Sequence, residues 1–411
     1  MTDFDPNAKY VSGPVNVVRL EGYIRGIKKV IYLFMDFHMD VSMQGQCPNI
    51  FSKDIQNYFV ESFYNLNKTT QQYDFFLEIY LSHLTDPPPD PILPKQTYKD
   101  MYLQEVRKLF KKLFIYDPEV DKVSVSDILK NIRLHYIDIR DYFFDHFYHR
   151  AFEVLMILGR FAYGNYIDIN ELRKVTDSMN FMKDKLEIIV NALSQPYDKK
   201  DKLKIIKTSA EIDKHEEILR YFLNKIMTSY KYDDIKDILK KHIDKTRTNF
   251  TTSIKEFQST IQIFNDYGNS MQHAINRLTK YPNGMYIYGL SPTTKREMIK
   301  NMNDIWYEIN DRMEDSFVNL VDIYFLRRFL DKDYITNGIG YTGAAHSLNY
   351  IDILVNDFDF RITHASYSKI SDMEKLTLEV RNKDVKDLGE LFFPPVFQQC
   401  SDMSEFPENF L

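Results

Sequence analysis

The chain has 411 residues, of which 44% are hydrophobic and 27% charged, with 30 Phe, 29 Tyr and one Trp. This composition is that of a globular protein and excludes a disordered chain, a collagen and a fibrous repeat. At roughly 150 residues per domain, the length allows two or three domains, or one large domain carrying insertions. The net charge is −6, from 53 Lys and Arg against 59 Asp and Glu. It argues against a general nucleic-acid binder, because neutralising phosphates requires an excess of cations.

The first third of the chain alternates between strand and helix patterns. Apolar runs at 15–20 and 29–34 predict two strands joined by a short turn. From Ser52, the expected N-cap, apolar residues recur at helical spacing and predict a helix over 52–66. A second apolar run at 73–79 predicts a buried strand. Strand, helix and strand in this order are typical of a parallel sheet. A helix over 98–113 and a fourth strand over 133–139 follow.

The middle of the chain, 142–330, has helical periodicity almost throughout, and strand patterns return only at 338–343 and 358–363. The predicted fold is therefore α/β, with a mostly parallel central sheet built from both chain ends and a large α-helical insertion. We expect a split core over 10–141 and 331–370. A helical insertion over 142–330 interrupts this core, and its last helix packs on it. A C-terminal tail over 371–411 ends the chain.

The two cysteines, Cys47 and Cys400, are too few for a disulfide framework and predict two free thiols in a reducing compartment. The N-terminal residues lack the basic and apolar regions of a signal peptide. The longest apolar stretch falls far short of the ~20 residues that span a bilayer. We expect a soluble, intracellular protein that is not secreted and has no membrane partner.

Candidate chemistry lies where predicted strands end, since ligands collect at the carboxyl ends of parallel strands. His38 and Glu78 follow the second and third strands, Arg140 follows the fourth, and His346 follows the strand at 338–343. Two histidines and a carboxylate form a metal-ligand set that leaves a position for water. Without a metal, either histidine could act as a general base.

Structural roles are an alternative for each of these residues. A histidine that ends a strand is more often hydrogen-bonded structure than a ligand, which applies to His38 and His346. Glu78 is more informative, because a carboxylate after a fully apolar strand needs a partner. Asp36, beside His38, favours a functional interpretation. For Arg140, an ion-pair network with its acidic neighbours is as good an interpretation as catalysis.

Several motifs in order resemble the Tiki/TraB/GumN/erythromycin-esterase superfamily. They are a hairpin running into a tetrad that ends in His38, an apolar strand ending in Glu78, the pair Asp311-Arg312, and Gly-x-x-His at 343–346 followed by a short helix and a strand. The resemblance covers roughly 15–80 and 305–366 and implies hydrolysis. One departure is Met35, where the family has a glycine, and its side chain could fill space that a substrate or metal needs.

The resemblance also implies roles for these residues. His38, Glu78 and His346 would bind a divalent metal (zinc, manganese or cobalt) or position a water directly, since the family includes metal-dependent proteases and metal-independent esterases. Arg312 or Arg140 would stabilise the oxyanion, and Asp36 would support His38. The substrate would be an unidentified small molecule or peptide.

The abundance of Ile, Lys, Asn, Tyr and Phe, together with the Leu-Phe-x-Asp-x-His opening, resembles uncharacterised proteins of giant DNA viruses of amoebae. This resemblance implies a place in the host cytoplasm, at the viral factory, or in the virion. The alternative function is a non-catalytic viral structural, scaffold or host-interaction protein that retains the fold and uses the helical insertion for self-association or for contacts with viral or host proteins. Phosphate-binding glycine loops and zinc-finger cysteine pairs are missing from the sequence, so nucleotide or nucleic-acid binding is the weakest interpretation.

Overall fold

A computed structural model describes residues 9–42, 47, 49–80, 101–114, 125–164, 166–194, 211–278, 292–396 and 398–411. The chain divides into two compact units. Unit 1 comprises residues 1–139, 230–238 and 321–411, and unit 2 comprises residues 140–229 and 239–320.

The strands lie near the two ends of the chain, and most of the helices lie between them. The strands are β1 (Tyr10–Ser12), β2 (Asn16–Ile24), β3 (Ile27–Asp36), β4 (Lys53–Asp54), β5 (Tyr73–Tyr80), β6 (Ile132–Asp138), β7 (Asn337–Gly343), β8 (Arg361–Ala365) and β9 (Cys400–Asp402). The helices are α1 (Ile55–Leu66), α2 (Tyr102–Leu113), α3 (Asp141–Gly164), α4 (Ile169–Ser194), α5 (Glu211–Thr228), α6 (Asp233–Leu278), α7 (Pro292–Asp331), α8 (Ala344–Asp357), α9 (Met373–Asn382) and α10 (Gly389–Phe392).

Unit 1 is built on a six-stranded sheet of order β6-β5-β7-β3-β2-β8. The four strands from β6 to β3 pair in parallel, whereas β2 runs antiparallel to both of its neighbours. β7 comes from the C-terminal part of the chain and lies between β5 and β3, so both chain ends are needed to complete the sheet. The predicted α/β fold with a mostly parallel sheet is confirmed.

The helix α1 covers the sheet with an aromatic face. Ile55, Phe59, Phe63 and Leu66 recur at helical spacing and are fully buried. The ring of Phe59 lies 4.9 Å from that of Phe34 on β3, and their edge-to-face geometry is favourable for aromatic pairs. The predicted N-cap was wrong, because the helix begins after Asp54. The residues in between, Lys53 and Asp54, pair with β1 as a short strand.

A second, three-stranded sheet of order β4-β1-β9 joins the two chain ends. β9 comes from the predicted C-terminal tail and pairs antiparallel with β1. Beside it, Cys47 and Cys400 form a disulfide with their Cα atoms 5.2 Å apart, within the usual range for such a bond. The prediction of two free thiols was wrong, because the fold brings together two cysteines that are 353 residues apart in sequence.

Unit 2 is helical, as the periodicity of the middle region predicts. It contains α3, α4, α5, most of α6 and the first part of α7, whereas the last part of α7 belongs to unit 1. Within the unit, α3 packs along α4, and the rings of Phe147 and Phe317 meet edge to face at 5.1 Å. The single tryptophan, Trp306, is buried here. The exact bounds of the predicted insertion, 142–330, stay a prediction.

Candidate active site

The ends of three neighbouring parallel strands bring the predicted residues together in unit 1. β5, β7 and β3 are adjacent, so their carboxyl ends lie at the same edge of the sheet. Glu78 is near the end of β5, and His38 follows the end of β3. His346 lies in the first turn of α8, directly after β7. The sheet order thus explains how residues more than 300 positions apart in sequence become neighbours.

Glu78 lies between the two histidines. The Nε2 atom of His38 and the Nε2 atom of His346 are each 3.9 Å from the same Glu78 oxygen, Oε1. The side chains of Glu78 and His346 are almost completely buried, whereas that of His38 is 41% exposed. A separation of 3.9 Å is too long for a direct hydrogen bond and matches two polar atoms bridged by one oxygen. Solvent reaches this cluster from the His38 side.

An irregularity in β5 orients Glu78. The ladder between β5 and β6 shifts register between Leu77 and Tyr80, and the pairing of β5 with β7 ends at Leu77. The Glu78 backbone carbonyl accepts a hydrogen bond from Nε of Arg107, on α2, at 2.5 Å. Such irregularities re-aim side chains next to active sites. Arg107 therefore supports the turned backbone that presents the Glu78 carboxylate.

The glycine of the Gly-x-x-His motif makes close contact with the cluster. The Gly343 N–H donates to Oε2 of Glu78 at 2.6 Å, at the N-terminal end of α8, where the helix dipole also favours a carboxylate. A Cβ at this position would lie only 3.0 Å from Nε2 of His38. Any larger residue would push His38 away, which gives a physical reason for glycine here.

His38 is held in a strained backbone conformation. Its φ is +55°, in the left-handed region that is unfavourable for residues other than glycine. Asp36 stabilises this turn, because its Oδ1 accepts the His38 backbone N–H and lies 3.3 Å from Nδ1 of the His38 ring. The other oxygen of Asp36 accepts the hydroxyl of Tyr341, on β7. The buried Asp36 thus fixes both the backbone and the ring of His38.

The same contacts set the charge state of His38. Burial lowers the pKa of His38, but the hydrogen bond to Asp36 and the negative charges of Glu78 and Asp36 together outweigh it, and the pKa is raised above its ordinary value of 6.5. The positive charge of Arg107 opposes this increase. His38 is therefore protonated more readily than a free histidine.

His346 is oriented by a carboxylate that the sequence did not indicate. Its Nδ1 lies 2.6 Å from Oδ1 of Asp322, near the end of α7, and the other Asp322 oxygen accepts a hydrogen bond from Asn349 at 2.5 Å. A carboxylate only accepts hydrogen bonds, so this contact assigns the proton to Nδ1 and makes Nε2 the proton-accepting nitrogen. Asp322 is completely buried. Acidic residues are common along α7, and nothing in their spacing distinguishes Asp322.

The backbone at Met35 does not adopt a left-handed turn that would require glycine. It is a fully buried residue within β3, paired with Thr342 of β7, and positive φ occurs at His38 instead. Successive strand residues point to opposite faces, so Met35 and Asp36 lie on opposite sides of the sheet.

The two predicted arginines lie in unit 2. Arg140 is its first residue, two positions after the end of β6. Arg312, on α7, pairs with Glu256 of α6. Their predicted roles stay predictions. Arg107 is an arginine of unit 1 whose charge acts on His38, and sequence reasoning did not select it.

A divalent metal was one of the two chemistries expected for this cluster. Within the described ranges, His, Cys, Asp and Glu form no group of three or more with a geometry that could hold a metal ion. The residues as placed therefore do not fit a metal, and the predicted zinc, manganese or cobalt stays a prediction.

Comparison with known proteins shows the family of this chain. Residues 9–411 match the model of a family of unknown function, DUF5847. The chain belongs to the DUF5847 family. It is 45% identical over 411 residues to "Uncharacterized protein R706" of Acanthamoeba polyphaga mimivirus, covering 99% of this chain and 98% of the relative. It is 34% identical to "Uncharacterized protein R160" and 33% to "Uncharacterized protein R161" of the same virus. Coverage of these two is 99% and 100% of this chain, and 98% and 100% of the relatives.

These DUF5847 relatives are viral proteins, which confirms the expected resemblance to proteins of giant viruses of amoebae. No solved structure matches the chain. In the part of the chain that the structure describes, no helix combines the length and the apolar character needed to cross a membrane.

Proposed function

We propose that this DUF5847 protein is a divergent member of the Tiki/TraB/GumN/erythromycin-esterase superfamily and a metal-independent hydrolase. The observation that carries the proposal is the pair of equal distances, 3.9 Å, from Nε2 of His38 and Nε2 of His346 to Oε1 of Glu78. One water oxygen can lie within hydrogen-bond distance of all three groups. The carboxylates that orient both rings support the same interpretation.

The water is held and activated on the buried side of the cluster. Its two protons point to Oε1 of Glu78 and to Nε2 of His346, whose proton-accepting state is set by Asp322. As the water oxygen bonds to the substrate carbonyl carbon, one proton passes to His346. We assign stabilisation of the oxyanion to Arg107, because its guanidinium lies beside Glu78, where Nε donates to the backbone carbonyl at 2.5 Å.

The proton for the leaving group comes from the exposed side of the cluster. His38 faces solvent, and Asp36 and Glu78 raise the pKa of its ring, which favours the protonated form that can donate this proton. When the carbon–oxygen or carbon–nitrogen bond breaks, the leaving atom takes the proton of His38. Transfer of the proton from His346 to His38, through the next water that enters the cluster, then restores the starting state, with a carboxylic acid and an alcohol or amine as products.

The test is hydrolysis of panels of carboxylic esters and peptides by the wild-type chain, by His346→Ala and by His149→Gln, which changes an exposed histidine of α3. We expect turnover of at least one substrate class by the wild type and by His149→Gln, and its loss in His346→Ala. Equal and negligible turnover in all three proteins would contradict the proposal, and metal analysis of the active sample would show whether a metal takes part.

A second candidate, a non-catalytic viral contact protein, is favoured by an apolar face on α3 of unit 2. Tyr148, Phe152 and Met156 recur every four residues and are 39%, 41% and 46% exposed. Tyr148 and Phe152 border a groove that is also lined by Trp306 and Met313. Exposed apolar patches of this kind are typical of protein contacts. Mass photometry of the wild type and of Phe152→Ser tests self-association, which should weaken in the variant. A strictly monomeric wild type would count against self-association.

A further inference from the structure

The only two cysteines of the chain connect the segment that follows His38 to the C-terminal region. Cys47 lies nine residues after His38, between β3 and β4, and Cys400 begins β9. β9 pairs with β1, and β1 pairs with β4, which ends the same segment. The disulfide therefore joins Cys47 to the small sheet that also contains β4.

This segment borders the candidate active site at its near end. It begins with the strained turn at His38, and Asp40 forms a β-bridge with Met101, directly before the helix that carries Arg107. A constraint on the segment is therefore a constraint on the residues around Glu78. His38 needs such a constraint more than its neighbours, because a histidine in the left-handed region persists only when its surroundings hold it there.

Other contacts hold the C-terminal region without the disulfide. The Gly13 N–H donates to the Gln399 carbonyl at 2.9 Å, and the Ser401 hydroxyl donates to the Pro14 carbonyl at 2.9 Å. The ladder between β1 and β9 adds further hydrogen bonds. Opening the disulfide would therefore release Cys47 and leave β9 in place. Cys47 and Cys400 are both partly exposed, so a reductant can reach them.

We propose that the Cys47–Cys400 disulfide is a redox-controlled clasp on the active site. The inference rests on the proposed function, since it concerns regulation of that same cluster. With the bond closed, the covalent constraint at Cys47 helps to hold His38 beside Glu78; with the bond open, this constraint is lost and catalysis slows. A dithiol reductant opens the bond: its thiolate attacks one sulfur, its second thiol resolves the mixed disulfide, and two cysteine thiols and the oxidised reductant result.

The redox conditions around the protein decide whether such a disulfide is open or closed. Reducing cytoplasm opens accessible disulfides, and disulfides in cytosolic proteins are usually transient and redox-sensing, whereas they persist in virions. The two locations expected for this protein therefore correspond to the two states of the bond.

The experiment compares oxidised and dithiothreitol-reduced wild type with the double variant Cys47→Ser/Cys400→Ser under both conditions. Maleimide labelling of the denatured chains counts thiols, and turnover is measured on the best substrate of the ester and peptide panels. NMR spectra of ¹³C-labelled histidine report the site without requiring turnover, with the His38 signal assigned through His38→Gln. Circular dichroism and thermal melting show whether the fold persists.

We expect no thiols in the oxidised wild type and two after reduction. Reduction should shift the His38 signal and lower turnover about tenfold or more, because small displacements of catalytic groups cost this much. The double variant should resemble the reduced wild type in turnover and in its histidine spectrum, and dithiothreitol should change neither.

Three results would overturn the clasp: two thiols in the oxidised wild type, an unchanged His38 signal and turnover after reduction, or loss of the whole fold on reduction. A reduction-dependent His38 signal in a protein without any turnover would support the clasp and contradict only the proposed hydrolase.

Discussion

Two buried histidine–aspartate pairs in unit 1 differ in what surrounds them. Nδ1 of His346 lies 2.6 Å from Asp322, and Nε2 of His135 lies 2.6 Å from Asp74. The second ring nitrogen of His346 faces Glu78, in a cluster that opens to solvent through His38. The second ring nitrogen of His135 is buried and has no hydrogen-bond partner among the residues that the structure describes.

The surroundings of His135 make it a structural residue. Its ring stacks on Phe76 with centroids 4.5 Å apart, and Arg133 pairs with the same Asp74 carboxylate. Burial lowers the pKa of His135 to about 4, with a further decrease from Arg328 and an opposing increase from Asp74. A histidine–aspartate pair alone is therefore no sign of catalysis. The second ring nitrogen must also face a polar group that solvent or substrate can reach.

The largest expected effect is on turnover, from a change in the cluster of Glu78 and His346. Glu78→Gln keeps the size of the side chain but removes the charge that orients the water for proton transfer to His346. We expect turnover to fall by about 10²–10⁴-fold, the usual contribution of such an acid–base step. His135→Gln should leave turnover within about twofold, because His135 lies outside the proposed mechanism. Steady-state kinetics on one substrate measures both. A larger loss in His135→Gln than in Glu78→Gln would reverse the assignment of the two regions.

The buried pair of His135 and Asp74 predicts that the stability of the fold depends on pH. Between pH 6.5 and about 4, the unfolded chain binds a proton at His135 that the folded chain excludes. The free energy of unfolding should therefore decrease as the pH falls through this range, by on the order of 3 kcal/mol for a shift of this size.

Hydrogen exchange of the β5 and β6 amides, measured from pH 7 to pH 4, reports this loss after correction for the intrinsic exchange rate. The same series in His135→Gln should show a weaker dependence. An identical dependence in both proteins would show that another group is responsible.

A smaller effect is expected from the carboxylates that orient the two rings. Asp322→Asn keeps the shape but can donate a hydrogen bond to Nδ1 of His346, which favours the wrong tautomer. We expect turnover to fall about 10–100-fold, as for other groups that orient a functional histidine. Asp74→Asn should instead lower the melting temperature and leave the turnover of the folded protein unchanged. Paired kinetic and melting measurements separate these outcomes, and a purely structural effect of Asp322→Asn would contradict its positioning role.

Much of the fold was predictable because its signals are local. Apolar runs marked β3, β5 and β7, and the polar residues that follow them marked the edge where His38, Glu78 and His346 meet. Parallel strands carry their ligands at this edge, so strand order in the sheet was the main missing information.

The rest depends on contacts between distant residues. Asp322 reaches His346 only because the end of α7 packs beside α8, and Arg107 reaches the carbonyl of Glu78 from a separate helix. The disulfide closes 353 residues, and nothing near Cys47 indicates Cys400. The short strand before α1 is likewise decided by its pairing with β1 rather than by its own two residues.

The pH dependence of hydrolysis tests the central claim most directly, because it reports the protonation state of His38 during turnover. If protonated His38 supplies the leaving-group proton, kcat/KM should decrease as the pH rises through the pKa of His38, which lies above 6.5 because Asp36 and Glu78 raise it. In Asp36→Asn the decrease should occur at lower pH, since one of these negative charges is removed. A wild-type rate that stays level or increases through this range, or an unshifted profile in Asp36→Asn, would contradict the account.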